Sequence, residues 1–165
     1  MASRLLHYLI ANQIIEDIKI DNKNRFLLGY YCRLIMDCLW VSLIVNPYVR
    51  KGLKSERVML YHKAYRDYWR LNYILTREFN LEYQLCVDED IYIEEIDCNQ
   101  ISNLADNLKM DIECNDYASK EDMELYPYEI IENYIKYATE VCRKELLAFK
   151  NGERHMCPIV YYVTI

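Results

Sequence analysis

Two side chains of opposite charge lie inside an otherwise apolar stretch of the sequence. In GYYCRLIMDCLW, residues 29–40, Arg33 and Asp37 are four positions apart and so share one face of a helix. A guanidinium and a carboxylate at this spacing can form a bidentate ion pair. If the pair is buried, loss of one partner costs about 3–5 kcal/mol. If the charged groups reach solvent, the pair contributes only roughly 0.3–0.5 kcal/mol.

In a second pair, His62 could act as a general base with Asp67 as the neighbouring carboxylate. The two residues are five positions apart, about 140° around a helix, so they do not share a face. A structural or surface histidine is therefore favoured. The sequence contains no glycine-rich phosphate loop, G-x-S-x-G or H-E-x-x-H motif. Cys32 and Cys38 lie in an apolar helix and are typical of core thiols rather than nucleophiles.

Hydrophobic periodicity and capping residues predict the helices that position these groups. The expected helices are 3–18 with Ser3 as N-cap, 23–45 ending before Pro47, 55–79 capped by Ser55, 97–110 capped by Asp97, and 127–150 opened by Pro127. The third helix carries two apolar stripes, so we expect it to be covered on more than one side. One stripe passes through Val58, Tyr65 and Leu75, and the other passes through Ala64 and Leu71.

The predicted fold is an all-α bundle of about five helices, with extended acidic connections, in a single domain spanning residues 1–165. Few Gly and Pro residues among 165 favour helices over a turn-rich all-β fold. The parts are three core helices in 1–80, an acidic connecting region with a short helix in 81–132, a last long helix in 127–152 and an extended tail in 153–165.

Charge is unevenly distributed along the chain, whose net charge is -6. Residues 1–80 contain 13 basic and 7 acidic side chains, whereas residues 81–132 contain 2 basic and 16 acidic ones. Such a stretch is either a solvated surface or an anionic face for a basic protein partner. The carboxylates expected to contact that partner are Asp88, Glu89, Asp90, Glu94, Glu95, Asp116, Glu121 and Asp122.

Cysteine usage and hydropathy indicate a cytoplasmic protein. The seven cysteines are dispersed without a C-x-x-C pair, which is typical of reduced thiols rather than a disulfide framework. No signal-peptide cleavage site follows the N-terminal apolar residues, and Arg33 and Asp37 shorten the apolar run below a bilayer span. Direct nucleic-acid binding is not expected from the four basic residues of one connector, Arg50, Lys51, Lys54 and Arg57.

Four segments in order, SRLLHYLIANQI, NRFLLG, GYYCRLIMDCLW and YRDYWRLNYIL, resemble bacterial proteins related to zinc-dependent phospholipase C. The resemblance covers most of residues 1–150. It implies an all-α bundle, an architecture shared with S1/P1-type nucleases, whose interior binds zinc ions through His and Asp side chains. The extracellular members of the family hydrolyse phosphodiesters. The resemblance also implies ligand roles for His7 and Asp37, with His62 and Asp67 as further candidates.

The chain departs from that family's ligand pattern. Arg33 occupies the position of the family's histidine before Asp37, and the long ligand-bearing insertion is replaced by a direct join at Gly29. A catalytic zinc needs about three protein ligands and an open position, and a guanidinium cannot coordinate a metal. We therefore expect no metal and no catalytic residue. Arg33 would replace the metal as the cation that holds Asp37 and Asp67 in one structural charge cluster.

The predicted function is a non-catalytic interaction module without a cofactor, for example a small acidic inhibitor of a nucleic-acid-binding protein. The alternative is a phosphodiester or phospholipid hydrolase with a reduced zinc site of His7, Asp37, His62 and Asp67. A third interpretation is a structural dimer without a separable activity. The direct join at Gly29 further predicts a homodimer, either with or without exchange of elements around this glycine.

Overall fold

The computed structural model describes residues 3–18, 25–84, 101–114 and 116–153. Its five α-helices in chain order are α1 (Arg4–Asp17), α2 (Arg25–Trp40), α3 (Arg57–Glu78), α4 (Ile101–Ile112) and α5 (Tyr128–Lys150). Wider π-helical turns continue α2 over Val41–Arg50, and one 3-10 turn, Lys120–Asp122, precedes α5. The described residues contain no β-strand. The expected all-α bundle of about five helices is confirmed.

One continuous hydrophobic core joins the helices. α5 packs against α1 and α2, α4 packs against α1 and α3, and α3 also packs against the π-helical segment. Its largest fully buried side chains are aromatic: Trp40 from the end of α2, Tyr126 from the connection before α5, and Tyr134 from α5. These rings hold α2, α5 and the connection together at the centre of the bundle.

The predicted helix ends are confirmed where a local cap specifies them. The Ser3 hydroxyl accepts a hydrogen bond from the N–H of Leu6 at 3.2 Å, and α1 begins at the next residue. Pro127 precedes the first residue of α5, and Gly152 follows that helix with a φ of 76°. The expected cap at Ser55 is wrong, because α3 begins two residues later without a side-chain cap. The expected cap Asp97 lies outside the described residues.

The expected end of the second helix before Pro47 is also wrong, since the helix runs on to Arg50. In an α-helix the proline ring would clash with the carbonyl four residues earlier. The π-helical turns are wider and place bonds five residues apart, as in the 2.9 Å bond from the N–H of Lys51 to the carbonyl of Asn46. This register accommodates Pro47 within a continuous helix.

The expectation that α3 is covered on more than one side is wrong for its first half. Val58 and Tyr65, which lie on one predicted stripe, are largely exposed. Ala64 and Leu71, on the other stripe, are buried against the bundle. Only the later part of the first stripe is covered, where Leu75 is completely buried. The helix therefore has one buried face and one exposed aromatic face.

Residues Leu28–Arg50 form one helix that is long and apolar enough to cross a membrane by length and composition. Half of its most apolar window is buried inside the bundle, and core helices of this kind pass the same test. Gly29 lies near the start of this helix, and a Cβ atom added there would contact nothing within 4 Å. The exchange of elements around Gly29 stays a prediction.

Candidate functional site

The first charged group in the bundle surrounds the buried carboxylate of Asp37 on α2. His7 reaches it from the neighbouring helix α1, with Nε2 3.4 Å from Oδ1 of the aspartate. Arg33 lies one turn earlier on α2, with Nε 3.9 Å from Oδ2. The i,i+4 pair expected from the sequence is therefore present, and α1 adds an imidazole to it.

His7 and Arg33, the two neighbours of Asp37, are not equally buried. The Arg33 side chain is 42% exposed, so its guanidinium lies at the bundle surface. It was expected at the centre of the bundle, in the position of the metal. The Nε2 atom of His7 is buried and makes no hydrogen bond with any of the described residues. Beside them, burial raises the pKa of the Cys38 thiol, and the charge of Asp37 raises it further. That thiol therefore stays protonated, as expected for a core cysteine.

The second charged group is centred on Asp67, which is completely buried on α3. Its Oδ1 accepts hydrogen bonds from the N–H of Glu124 at 2.8 Å and from Nη1 of Arg70 at 3.0 Å. Its Oδ2 accepts from the N–H groups of Leu125 at 2.8 Å and Tyr126 at 3.1 Å. This one carboxylate thus fastens the connection before α5 to the middle of α3.

Two arginines reinforce this attachment from the surface. Arg66 donates to both carboxylate oxygens of Glu124, at 2.7 and 2.6 Å, and Arg70 donates to the same carboxylate at 2.7 Å. The hydrogen bonds from Arg66, and then those from Arg70, lower the pKa of Glu124 from 4.5 to about 2. Arg70 therefore bridges a buried carboxylate and an exposed one.

The lowered pKa of Glu124 makes the stability of the fold depend on pH in the acid range. Its folded pKa is about 2 and its ordinary value is 4.5, so its contribution is fully present above pH 4.5. The contribution is lost as pH falls through this interval, because the unfolded chain binds the proton first. In urea unfolding at about pH 6 and about pH 3, Glu124→Gln should lose less stability than wild type. An equal loss in both proteins would contradict the assignment.

The structure separates the predicted charge cluster of Arg33, Asp37 and Asp67 into two groups. The contacts of Asp67 are with Arg70 and three backbone N–H groups, and no ion pair among the described residues joins it to Arg33. The physical reason is that Asp67 faces a connection whose successive N–H groups converge on it. Those donors and Arg70 satisfy the charge that Arg33 was expected to neutralise.

A third buried carboxylate, Asp111 on α4, was not singled out from the sequence. It accepts hydrogen bonds from Nε and Nη2 of Arg4 at 2.9 and 3.2 Å, and from Nδ2 of Asn72 at 3.0 Å. It therefore ties α1, α3 and α4 together. A usable signal was present, since Asp111 shares the buried face of α4 with Leu108 and Ile112 at helical spacing.

The side chains that the resemblance implied as zinc ligands do not fit a catalytic zinc. His62 lies on the exposed face of α3, away from the buried Asp67, whose oxygens already accept four hydrogen bonds. Only His7 and Asp37 remain as possible metal ligands, and the permanently charged guanidinium of Arg33 lies beside them. Such a site needs about three protein ligands. The part of the chain that the structure describes holds no group of three His, Cys, Asp or Glu side chains arranged for a metal.

The predicted partner-binding carboxylates lie only partly within the described residues. Asp88, Glu89, Asp90, Glu94 and Glu95 lie outside them. Asp116, Glu121 and Asp122 are exposed on the connection between α4 and α5. Asp122 also has a local role, since its Oδ2 accepts a 2.7 Å bond from the N–H of Ser119. That backbone bond lowers the pKa of Asp122.

No protein-family model matches this sequence, and no curated protein or solved structure matches it significantly. The class that the structure itself defines is a five-helix all-α bundle with carboxylates fixed inside it. The resemblance to zinc-dependent phospholipase C stays a prediction from the four sequence segments.

Proposed function

We propose that this chain is a metal-free, non-catalytic relative of the zinc-dependent phospholipase C fold and acts in the cytoplasm as a protein-interaction module. The observation that carries the proposal is the saturation of Asp67 by three backbone N–H groups and Arg70. A carboxylate that binds a catalytic metal must direct a lone pair at it. Asp67 has no lone pair left to direct.

The proposed partner is a protein with a basic surface, such as a nucleic-acid-binding protein whose groove the acidic stretch would occupy. The excess of 16 acidic over 2 basic side chains in residues 81–132 supports this choice. An anionic face of this kind repels nucleic acid itself and steers basic proteins toward the chain. The module would thus act as a small acidic inhibitor without a cofactor.

The catalytic half of the proposal is tested by turnover of a generic phosphodiester, bis(p-nitrophenyl) phosphate, with added zinc and with a chelator. We expect no turnover above the buffer rate in either condition. Turnover that requires zinc and disappears in His7→Ala and Asp37→Ala would overturn the proposal. Such a result would support the alternative, a hydrolase with a reduced zinc site.

The binding half is tested against a basic DNA-binding protein, with its DNA as competitor. A variant with Asp88, Glu89, Asp90, Glu94 and Glu95 changed to their amides should bind at least about tenfold more weakly, and wild-type binding should weaken as salt rises. The matched control changes five acidic residues outside residues 81–132 to amides: Glu16, Asp21, Glu56, Glu140 and Glu153. Equal losses in the two variants would contradict a specific acidic face.

A further inference from the structure

An exposed apolar face runs along the first half of α3. Val58, Tyr61, Tyr65 and Trp69 follow the spacing i, i+3, i+7, i+11 and so form one stripe, with exposures between 41 and 66%. Leu53 precedes the stripe and is also largely exposed. A contiguous apolar face of this kind on a folded domain marks an interaction site.

The end of this face where α3 begins is basic. Arg50, Lys51 and Lys54 lie in the segment that leads into the helix, and the structure gives none of them an ion pair with a described carboxylate. The neighbouring Arg57 donates to the backbone carbonyls of Arg50 and Gly52 and leaves its charge without a carboxylate partner there. The cations at this end are therefore available to an anionic group.

The opposite end of the face is acidic. The ring of Tyr73 on α3 packs edge-on against Tyr117, with ring centroids 5.5 Å apart, which brings the α4–α5 connection alongside the helix. Asp116 and Glu121 on this connection are exposed. On α3, Arg66 and Arg70 pair with Glu124. The guanidinium of Arg77 lies over the Tyr73 ring, 5.3 Å from its centroid, and forms no ion pair with a described carboxylate. The face thus has a positive end, an apolar centre and a negative end.

We propose that this face binds the same face of a second copy of the chain, with the two α3 helices antiparallel. A two-fold axis near residue 63 places Val58 opposite Trp69 of the second copy and Tyr61 opposite its Tyr65. The same operation places Lys51 and Lys54 opposite Asp116 and Glu121 at both ends of the interface. The face is complementary to itself only in this orientation, because a parallel pairing puts like charges together.

The charge pattern also decides between occupants. A negatively charged membrane or a nucleic acid would attract the basic end, but Asp116 and Glu121 would repel it at the other end. A second copy satisfies both ends at once. This inference is independent of the proposed function. It also gives the predicted homodimer a surface that does not require exchange of elements around Gly29.

The test uses two charge-reversal variants and their mixture. One variant carries Lys51→Glu and Lys54→Glu, and the other carries Asp116→Lys and Glu121→Lys. Light scattering at micromolar concentration and low salt should give wild type at twice the 20.0 kDa chain mass. Each variant alone should be monomeric, with a dissociation constant for the dimer at least about tenfold higher than that of wild type. An equal mixture should recover the dimer, because both of its ends are again oppositely charged.

Two further measurements keep the result unambiguous. Circular dichroism should show that each variant keeps the wild-type helix content, and Tyr65→Ser should also be monomeric although folded. A monomeric wild type would overturn the proposal, as would a dimer that neither variant weakens. A mixture of folded variants that stays monomeric would exclude the antiparallel arrangement. Binding of wild-type monomer to phosphatidylserine vesicles through Tyr65 would assign the face to lipid and overturn the proposal too.

Discussion

Asp67→Asn is expected to lower the free energy of unfolding by about 2–6 kcal/mol, because two donors inside the protein lose their acceptor at about 1–3 kcal/mol each. Each carboxylate oxygen of Asp67 accepts two hydrogen bonds, one pair from Arg70 and Glu124 and the other from Leu125 and Tyr126. The amide group of asparagine must point its NH₂ at one of these pairs in either orientation. Two donors would then face donors inside the protein, while Arg70 would keep Glu124 as its ionised partner.

Urea unfolding of the purified protein measures this loss. The control is Asp106→Asn, the same substitution at an exposed position of α4, which should change stability by no more than about 0.5 kcal/mol. At this chain length each kcal/mol corresponds to roughly 2–4 °C in melting temperature. A loss below about 1 kcal/mol for Asp67→Asn would show that the connection before α5 is not held by this carboxylate.

Trp40→Ala is expected to lower stability by a comparable amount, about 3–5 kcal/mol. The indole is completely buried and lies edge-on to Tyr134 and Tyr126, with centroids 5.0 and 5.8 Å apart. Its Nε1 donates to the hydroxyl of Tyr68 at 3.1 Å. Removal leaves a cavity among three rings from different elements, and stiff rings cannot collapse into it as aliphatic side chains can.

Thermal unfolding followed by circular dichroism measures this effect, with Tyr137→Ala as the control. Tyr137 is a large aromatic residue on α5 with more than half of its surface exposed, and its removal should leave the unfolding free energy within about 0.5 kcal/mol of wild type. Similar losses for the two variants would mean that the ring cluster around Trp40 does not form the centre of the core.

The parts of the fold that were predictable are those fixed by local chemistry. The start of α1 at Ser3 and the limits of α5 at Pro127 and Gly152 depend on caps that act within a few residues. The end of the second helix was not predictable in this way. Proline normally stops an α-helix, and only the π-helical register carries the chain past Pro47.

The site was predictable only where its partners share one helix. The spacing of Arg33 and Asp37 predicts their ion pair, whereas three of the four donors to Asp67 are backbone N–H groups 57 to 59 positions away. Backbone donors have no sequence signature. The exposed stripe of α3 was misread for a similar reason, because Val58 and Tyr65 look the same in sequence whether neighbouring helices cover them or not.

We propose that the chain's own donors, and not a metal ion, satisfy the carboxylates inside the bundle. The direct measurement is the melting temperature of chelator-treated protein, alone and with increasing zinc, for wild type and for a His7→Ala, Asp37→Ala double variant. If the protein had a zinc site, zinc at 100 times the dissociation constant of that site would stabilise the folded state by about 2.7 kcal/mol. We predict that zinc leaves the melting temperature of wild type unchanged. If the melting temperature of wild type rose with zinc concentration and that of the double variant did not, zinc would bind at His7 and Asp37 and the proposal would be wrong.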